Sequence, residues 1–367
     1  MGDTLNVGVI GAGKISTAYA TTFARLPGVA MTRVADLDAG RAAALAGQFE
    51  GVRSGTPEEL LAADDVDLVL NLTVPQAHAA VALAAIASGK HVYGEKPLAA
   101  GTTDARGVLD AAARAGLVVG CAPDTVLGTG LQTARASVEA GDIGTPLAAT
   151  AFMITPGHER WHPSPEFYYQ PGGGPLLDMG PYYLSALVHL LGPVRRVTGV
   201  TATPRATREV GSGPNAGTVF PVEVATHVTG VLEHTGGAVT TLMMSFDIWA
   251  GQLPRIEVYG ESGSLSVPDP NNFTGPVRLF TAATQDWADV PDRAGYRDAA
   301  RGYGVADLAR SLRDGTSPRA SGELAFHVLD VMERLLEAAA TGTSLDVAST
   351  CVVPAPVPLS AVPEPGA

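Results

Sequence analysis

The sequence predicts an α/β protein of two domains, a doubly wound parallel sheet followed by a domain built on antiparallel strands. Three observations carry this. A short β-rich run, LNVGVI at 5–10, stops at glycines. Strand-like and helix-like stretches then alternate as far as Cys121, the pattern of βαβ crossovers in a parallel sheet. Beyond Pro193 the chain is rich in Val and Thr, with runs such as GAVTTLMMSFDIW and RIEVYG that read as antiparallel strands.

In order, the first domain offers a strand at 5–10, a helix at 14–25 ended by Pro27-Gly28, and a strand at 29–35 with Asp36 directly after it. A strand at 67–72, a helix at 76–88 and a strand at 90–93 follow, then a helix at 103–115 and a strand at 117–121. Past Pro123 a helix is expected at 130–140 and a strand at 148–154, with late helices at 305–313 and 323–340. The final VVPAPVPLSAVPEPGA has too many prolines for a packed element and reads as an extended arm. The expected division is 1–122, 123–350 and an arm at 351–367.

The 367 residues suffice for two cores. With 46% hydrophobic and 17% charged residues, the chain is not a disordered polymer. Its net charge of −13 and lack of a basic run exclude nucleic acid and anionic membrane as expected partners. No purely apolar run is long enough to span a bilayer, and MGDTLNVGVIGAG carries no basic leader segment. The two cysteines, Cys121 and Cys351, are too far apart to form a disulfide framework, which suits a reducing cytoplasm.

The turn Gly11-Ala12-Gly13-Lys14-Ile15-Ser16 matches G-x-G-x-x-G with serine in the last place. Gly11 permits the tight turn and Gly13 lets backbone approach a pyrophosphate at a helix N-terminus, while the third position serves packing. Asp36 is placed to accept hydrogen bonds from an adenosine ribose and to repel a 2′-phosphate. It equally suits a helix N-cap. NAD is therefore the expected cofactor. NADP stays open, because Arg41 could reach a phosphate.

Lysine occurs only at positions 14, 90 and 96. Lys90 follows a helix-ending glycine and reads as structural. Lys96 lies in HVYGEKP, just past the carboxyl end of a strand, where ligands of open parallel sheets sit. The alternative is a solvated loop lysine.

Together GVIGAGKIS, RVAD, TVPQAH, SGKHVYGEKPLA, GGGPLLDMGPYYLSALVHLLGP and GYGVADLARSLRDG resemble the Gfo/Idh/MocA oxidoreductases. The resemblance implies a Rossmann domain and a C-terminal α/β domain with an open, mostly antiparallel sheet. It implies hydride transfer between NAD(P) and a hydroxyl of a sugar or polyol, and homodimers or homotetramers formed through the exposed sheet face. It also suggests that Leu72, Thr73 and Pro75 pass beside the nicotinamide half, with His78 mainly structural. With Lys14, Ile15, Glu95 and Lys96 these complete the expected cofactor set.

The family pattern D-x-G-x-H reads Asp178-Met179-Gly180-Pro181-Tyr182 here, with tyrosine in the histidine place. A helix starting near Asp178, with Pro181 in its first turn, puts Asp178 and Tyr182 on one face. The alternative makes Asp178 an N-cap and Tyr182 a packed aromatic. A phenol of pKa about 10 is a weak base at neutral pH, and an ammonium favours its phenolate. Lys96, Asp178 and Tyr182 are accordingly the candidate catalytic residues, with Tyr182 exchanging the substrate proton. Two other readings are a dinucleotide-binding sensor without turnover, and an enzyme that retains NAD to cleave or epimerise a sugar.

His158-Glu159-Arg160-Trp161-His162 spells the zinc-protease motif H-E-x-x-H. Prolines on both sides deny it the helix that chemistry needs, so no metal site is expected. The segment reads instead as a loop in which Arg160, Trp161 and His162 line a substrate pocket, joined by Asp178 and Tyr183, or as a plain surface loop.

Overall fold

A computed structural model describes residues 4–363. Packing divides them into two compact units: 4–132 with 293–326 and 354–363, and 133–292 with 327–353. Residues 293–326 thus lie in the first unit, not in the second domain where the sequence division put them.

The first unit is built on β1 (Leu5–Ile10), α1 (Ser16–Phe23), β2 (Val29–Ala35), α2 (Ala39–Ala46), β3 (Arg53–Gly55), α3 (Pro57–Leu61), β4 (Leu68–Asn71), α4 (His78–Ala87), β5 (His91–Gly94), α5 (Thr102–Ala115) and β6 (Val119–Cys121). The strands form one parallel sheet in the order β3-β2-β1-β4-β5-β6. β1 and β4 are almost wholly buried, as in a sheet with helices on both faces. The order reverses between β1 and β4, and ligands of such sheets sit beyond the strand ends at that switch. Lys90 is structural as expected: its buried ammonium donates to the carbonyls of Ala63 and Val66, at 2.7 and 2.9 Å.

The second unit takes in α6 (Thr129–Glu139) from its fifth residue, β7 (Pro146–Ile154), α7 (Pro175–Leu191), β8 (Val194–Ala202), β9 (Thr207–Glu209), β10 (Val219–Pro221), β11 (His227–His234), β12 (Val239–Ser245), β13 (Ile256–Gly260), β14 (Gly263–Val267), β15 (Val277–Thr281) and β16 (Trp287–Val290). The chain then forms α8 (Tyr303–Asp314) in the first unit, followed by α9 (Gly322–Thr341) and the short β17 (Leu345–Asp346). A nine-stranded sheet runs β16-β15-β14-β13-β7-β12-β11-β8-β17, antiparallel except where β7 meets β12. Strands β8 and β11 alternate buried and exposed residues, so one face is covered and the other open.

Helix α7 and the tail depart from expectation. Helix α7 begins at Pro175, not near Asp178, because proline is preorganised for the first helical position and Gly174 (φ +92°) supplies the turn into it. Asp178 is therefore inside the helix and is not its N-cap, and Pro181 sits beyond the first turn. The proline-rich tail is extended but docked: Val357 is buried, its N–H donates to Gln132 Oε1 at 3.0 Å, and Arg319 Nε donates to Ala355 O at 3.1 Å. Residues 364–367 of the expected arm lie outside the described part. Among the described residues no helix is long and apolar enough to cross a membrane.

Candidate active site

The cofactor candidates of the first unit converge at the carboxyl ends of β1, β2, β4 and β5. Gly11 (φ +105°) donates its N–H to Ala35 O at 2.8 Å. A Cβ on Gly11 would stand 2.7 Å from the Leu72 backbone, so only glycine lets the β1 turn press on the end of β4. A Cβ on Gly13 would meet nothing within 4 Å. The space beside Gly13 is open, as a phosphate-binding turn requires. Ser16, in the place of the third glycine, is buried and donates its hydroxyl to Gly13 O at 2.6 Å. Lys14 and Ile15 are exposed at the start of α1.

Asp36 braces this turn. Its Oδ2 accepts the Ala12 N–H at 2.7 Å and its Oδ1 the Asp38 N–H at 2.8 Å. The N-cap of α2 is Asp38, which accepts from Gly40 and Arg41. The capping alternative for Asp36 therefore falls away.

A polar network joins the β4 and β5 ends. Asn71 Oδ1 accepts the Thr73 hydroxyl at 2.6 Å, and Asn71 O accepts the Glu95 N–H at 3.0 Å. His78 is buried, with Nδ1 2.6 Å from Pro97 O and Nε2 3.1 Å from Thr73 O. It clamps the loop carrying Thr73 and Pro75 to the Glu95-Lys96-Pro97 segment. Glu95 is held by the buried Tyr19 hydroxyl at 2.8 Å on Oε1 and by the Lys96 N–H at 3.1 Å on Oε2. Burial first, then the Glu95 charge, pushes the Tyr19 hydroxyl well above its ordinary pKa, so it stays a neutral donor. Lys96 is half-buried beside these anchors. Cys121 is buried, and burial drives its thiol far above the range in which a thiolate forms.

The substrate candidates lie in the second unit. Asp178 and Tyr182 are one turn apart on α7, Asp178 half-buried and Tyr182 6% exposed. Tyr183 is fully buried, and burial followed by the Asp269 charge pushes its hydroxyl up. Of the pocket candidates, Trp161 is 54% exposed and Arg160 lies over the Trp249 ring at 4.2 Å. His162 packs edge-on against Trp161 and Tyr168, and its Nδ1 accepts the Ser164 N–H at 3.1 Å.

The H-E-x-x-H segment is a single 3₁₀ turn over 158–160, not a helix. Its members take separate partners. Arg208, buried with its side chain 2% exposed, donates Nη1 to Glu159 Oε1 at 2.8 Å and Nη2 to Asp247 Oδ1 at 2.5 Å. The Tyr169 hydroxyl donates to Glu159 Oε2. This buried carboxylate–guanidinium cluster fixes the loop. Arg160, with Arg205, Thr207 and Arg208, lines a cavity of about 430 Å³. His158 was not among the sequence candidates: its Nε2 lies 3.0 Å from Asp178 Oδ2. Only its membership in the motif drew attention to it, and nothing in that motif points to Asp178.

Comparison with known proteins matches this layout over most of the chain. Residues 5–122 match the oxidoreductase family with an NAD-binding Rossmann fold, and 131–266 match the GFO/IDH/MocA C-terminal domain. The chain belongs to the GFO/IDH/MocA oxidoreductase family. It is 30% identical to inositol 2-dehydrogenase 3 of Saccharopolyspora erythraea, over 77% of this chain and 80% of that protein. It is 28% identical to 1,5-anhydro-D-fructose reductase of Ensifer adhaerens, over 93% and 98%. The fold is shared with an NAD binding oxidoreductase from Klebsiella pneumoniae, at TM-score 0.79 and 24% identity over 95% of this chain and 100% of that one.

Within the GFO/IDH/MocA family this chain is an NAD(P)-dependent dehydrogenase or reductase, and its first domain is the NAD-binding Rossmann domain. Its own residues fit the dinucleotide: open space at Gly13, the braced turn, and a carboxylate at the end of β2.

Proposed function

We propose that the protein moves a hydride between a nicotinamide cofactor and a ring hydroxyl or ketone of a sugar, glycoside or cyclic polyol. Bound nicotinamide supplies the hydride acceptor or donor. The chain's own task is the proton and the geometry. In the oxidising direction Tyr182, as phenolate, takes the hydroxyl proton of the carbinol as its hydride leaves, giving a ketone. Lys96, just past the carboxyl end of β5, contributes an ammonium to orient the reacting hydroxyl. Asp178 accepts a hydrogen bond from a substrate hydroxyl. Arg160, Trp161 and His162 supply a stacking face and donors to other hydroxyls.

The observation that supports this most is the pairing of Asp178 and Tyr182 on successive turns of α7 in a chain that also carries the Glu95-Lys96-Pro97 anchor. The names of the relatives, an inositol dehydrogenase and an anhydrofructose reductase, favour polyhydroxylated rings. Asp36 favours NAD over NADP. We also assign a second copy of this chain to the open sheet face, where Thr198, Val200, Thr229 and Val231 stand on adjacent strands with Val200 70% exposed.

The test is a panel of myo-inositol, 1,5-anhydrosugars, pyranoses and methyl glycosides, read as absorbance of reduced nicotinamide with NAD and NADP in parallel. Turnover of at least one ring alcohol is expected, faster with NAD. Confirmed cofactor binding without turnover of any alcohol would overturn the reading and leave a dinucleotide-binding sensor.

A further inference from the structure

The helix position where the family pattern carries histidine holds Tyr182 here, yet an imidazole still reaches Asp178 from another element. His158 lies on the loop after β7, twenty positions before Asp178, and their side chains meet at 3.0 Å. Both are largely withdrawn from solvent, with side chains 13% and 18% exposed. We propose that His158 is the positioning residue for Asp178: its Nε2–H donates to Oδ2 and fixes the direction in which the carboxylate meets a substrate hydroxyl. This rests on the reading of Asp178 given above.

Three further features support it. The His158 ring is caged by Tyr168, Phe246 and Trp161, with centroids 4.6, 4.4 and 5.4 Å away. A caged ring cannot swing off its partner without losing that packing. Its Nδ1 is buried with no partner among the described residues. A neutral imidazole has one donor and one acceptor nitrogen. Placing the proton on Nε2 satisfies the bond to Asp178, whereas the other tautomer would leave a buried donor unpaired and set a lone pair against a carboxylate. Finally, the loop is fixed independently of Asp178. His158 donates its backbone N–H to the Tyr169 hydroxyl at 3.2 Å, and Glu159 is locked by Arg208 and Tyr169. An anchored ring on a fixed loop can orient a carboxylate, as outer partners do for reacting groups elsewhere.

The test separates donor from packing. His158→Gln keeps a nitrogen donor near the Nε2 position and loses the ring. His158→Phe keeps the ring and loses the donor. With NAD and the best alcohol of the panel, His158→Phe is expected to lower kcat about 10- to 100-fold, as a misplaced reacting group does, with unchanged NAD affinity. His158→Gln is expected to recover most of that loss. Long-range proton–nitrogen spectra of the imidazoles, with His158 identified by its absence in the Gln variant, should show the proton on Nε2. They should show that preference lost in Asp178→Ala.

A Phe variant as active as wild type, or a Gln variant no better than Phe, would overturn the proposal. So would a tautomer unaffected by Asp178→Ala. If no alcohol on the panel turns over, the proposed function fails, while the spectra still decide whether Asp178 sets the His158 tautomer.

Discussion

The Tyr19 hydroxyl donates a 2.8 Å hydrogen bond to Glu95 Oε1, tying the helix after the glycine turn to the residue that precedes Lys96. Tyr19 is fully buried. Removing its hydroxyl takes the donor from a half-buried carboxylate, at about 1–3 kcal/mol. Tyr19→Phe should therefore unfold earlier in urea by that amount and gain less thermal protection from saturating NAD than wild type does. An unchanged unfolding midpoint and NAD shift would show that the bond does not support the turn.

The two glycines of the turn should fail in different ways. Gly11→Ala forces a side chain onto φ +105° and against the Leu72 backbone, costing ~1–3 kcal/mol from conformation alone. Gly13→Ala meets open space in the protein. It should leave the unfolding midpoint of the free protein unchanged and weaken NAD binding about tenfold or more, equivalent to ~1.4 kcal/mol. Calorimetric titration beside urea melts separates the two. Loss of stability in Gly13→Ala with intact affinity would contradict the assignment.

Arg208 anchors the loop that carries His158 and Glu159. Its two carboxylate partners, Glu159 and Asp247, have side chains only 7% and 10% exposed. Arg208→Met leaves Glu159 without its ion-pair partner and Asp247 with only the half-exposed Arg205 at 4.0 Å, and the expected loss is ~3–5 kcal/mol. Denaturant unfolding measures it. A loss below ~1 kcal/mol would mean that the loop is held by something else.

Acid stability follows from two histidines buried neutral in the second unit. Burial, followed by the Arg135 guanidinium, lowers His189 to about 3. Burial, set against Asp330, lowers His327 to about 4. Below about pH 6.5 the unfolded chain takes up protons that the folded chain refuses, so stability falls as pH drops from there toward 4. The melting temperature should decline across that window, and His327→Gln should flatten part of the slope. An unchanged slope in the variant would contradict the assignment.

Much of the first unit was legible because its signals are local. The turn at Gly11 and Gly13, the acid at Asp36 and the Glu95-Lys96-Pro97 triplet are each read from a few consecutive residues at a strand end. Parallel strands buried on both faces leave unbroken apolar runs. The second unit was legible as strands but not as a site. The start of α7 was misplaced because Asp178 looks like a cap, while Gly174-Pro175 does the work. His158 escaped notice because its bond to Asp178 depends on a loop path fixed by Arg208, which lies 49 and 39 positions from its partners Glu159 and Asp247. The docking of Val357 and Ala355 was hidden for the same reason, since Gln132 and Arg319 are remote in sequence.

The most direct test of the whole account is the turnover of Tyr182→Phe beside its NAD affinity, measured with the alcohol that wild type oxidises fastest. A proton-transfer role predicts a fall in kcat of about 10²–10⁴-fold, with the dissociation constant for NAD unchanged. A variant that turns over at nearly the wild-type rate would remove Tyr182 from the chemistry and contradict the account.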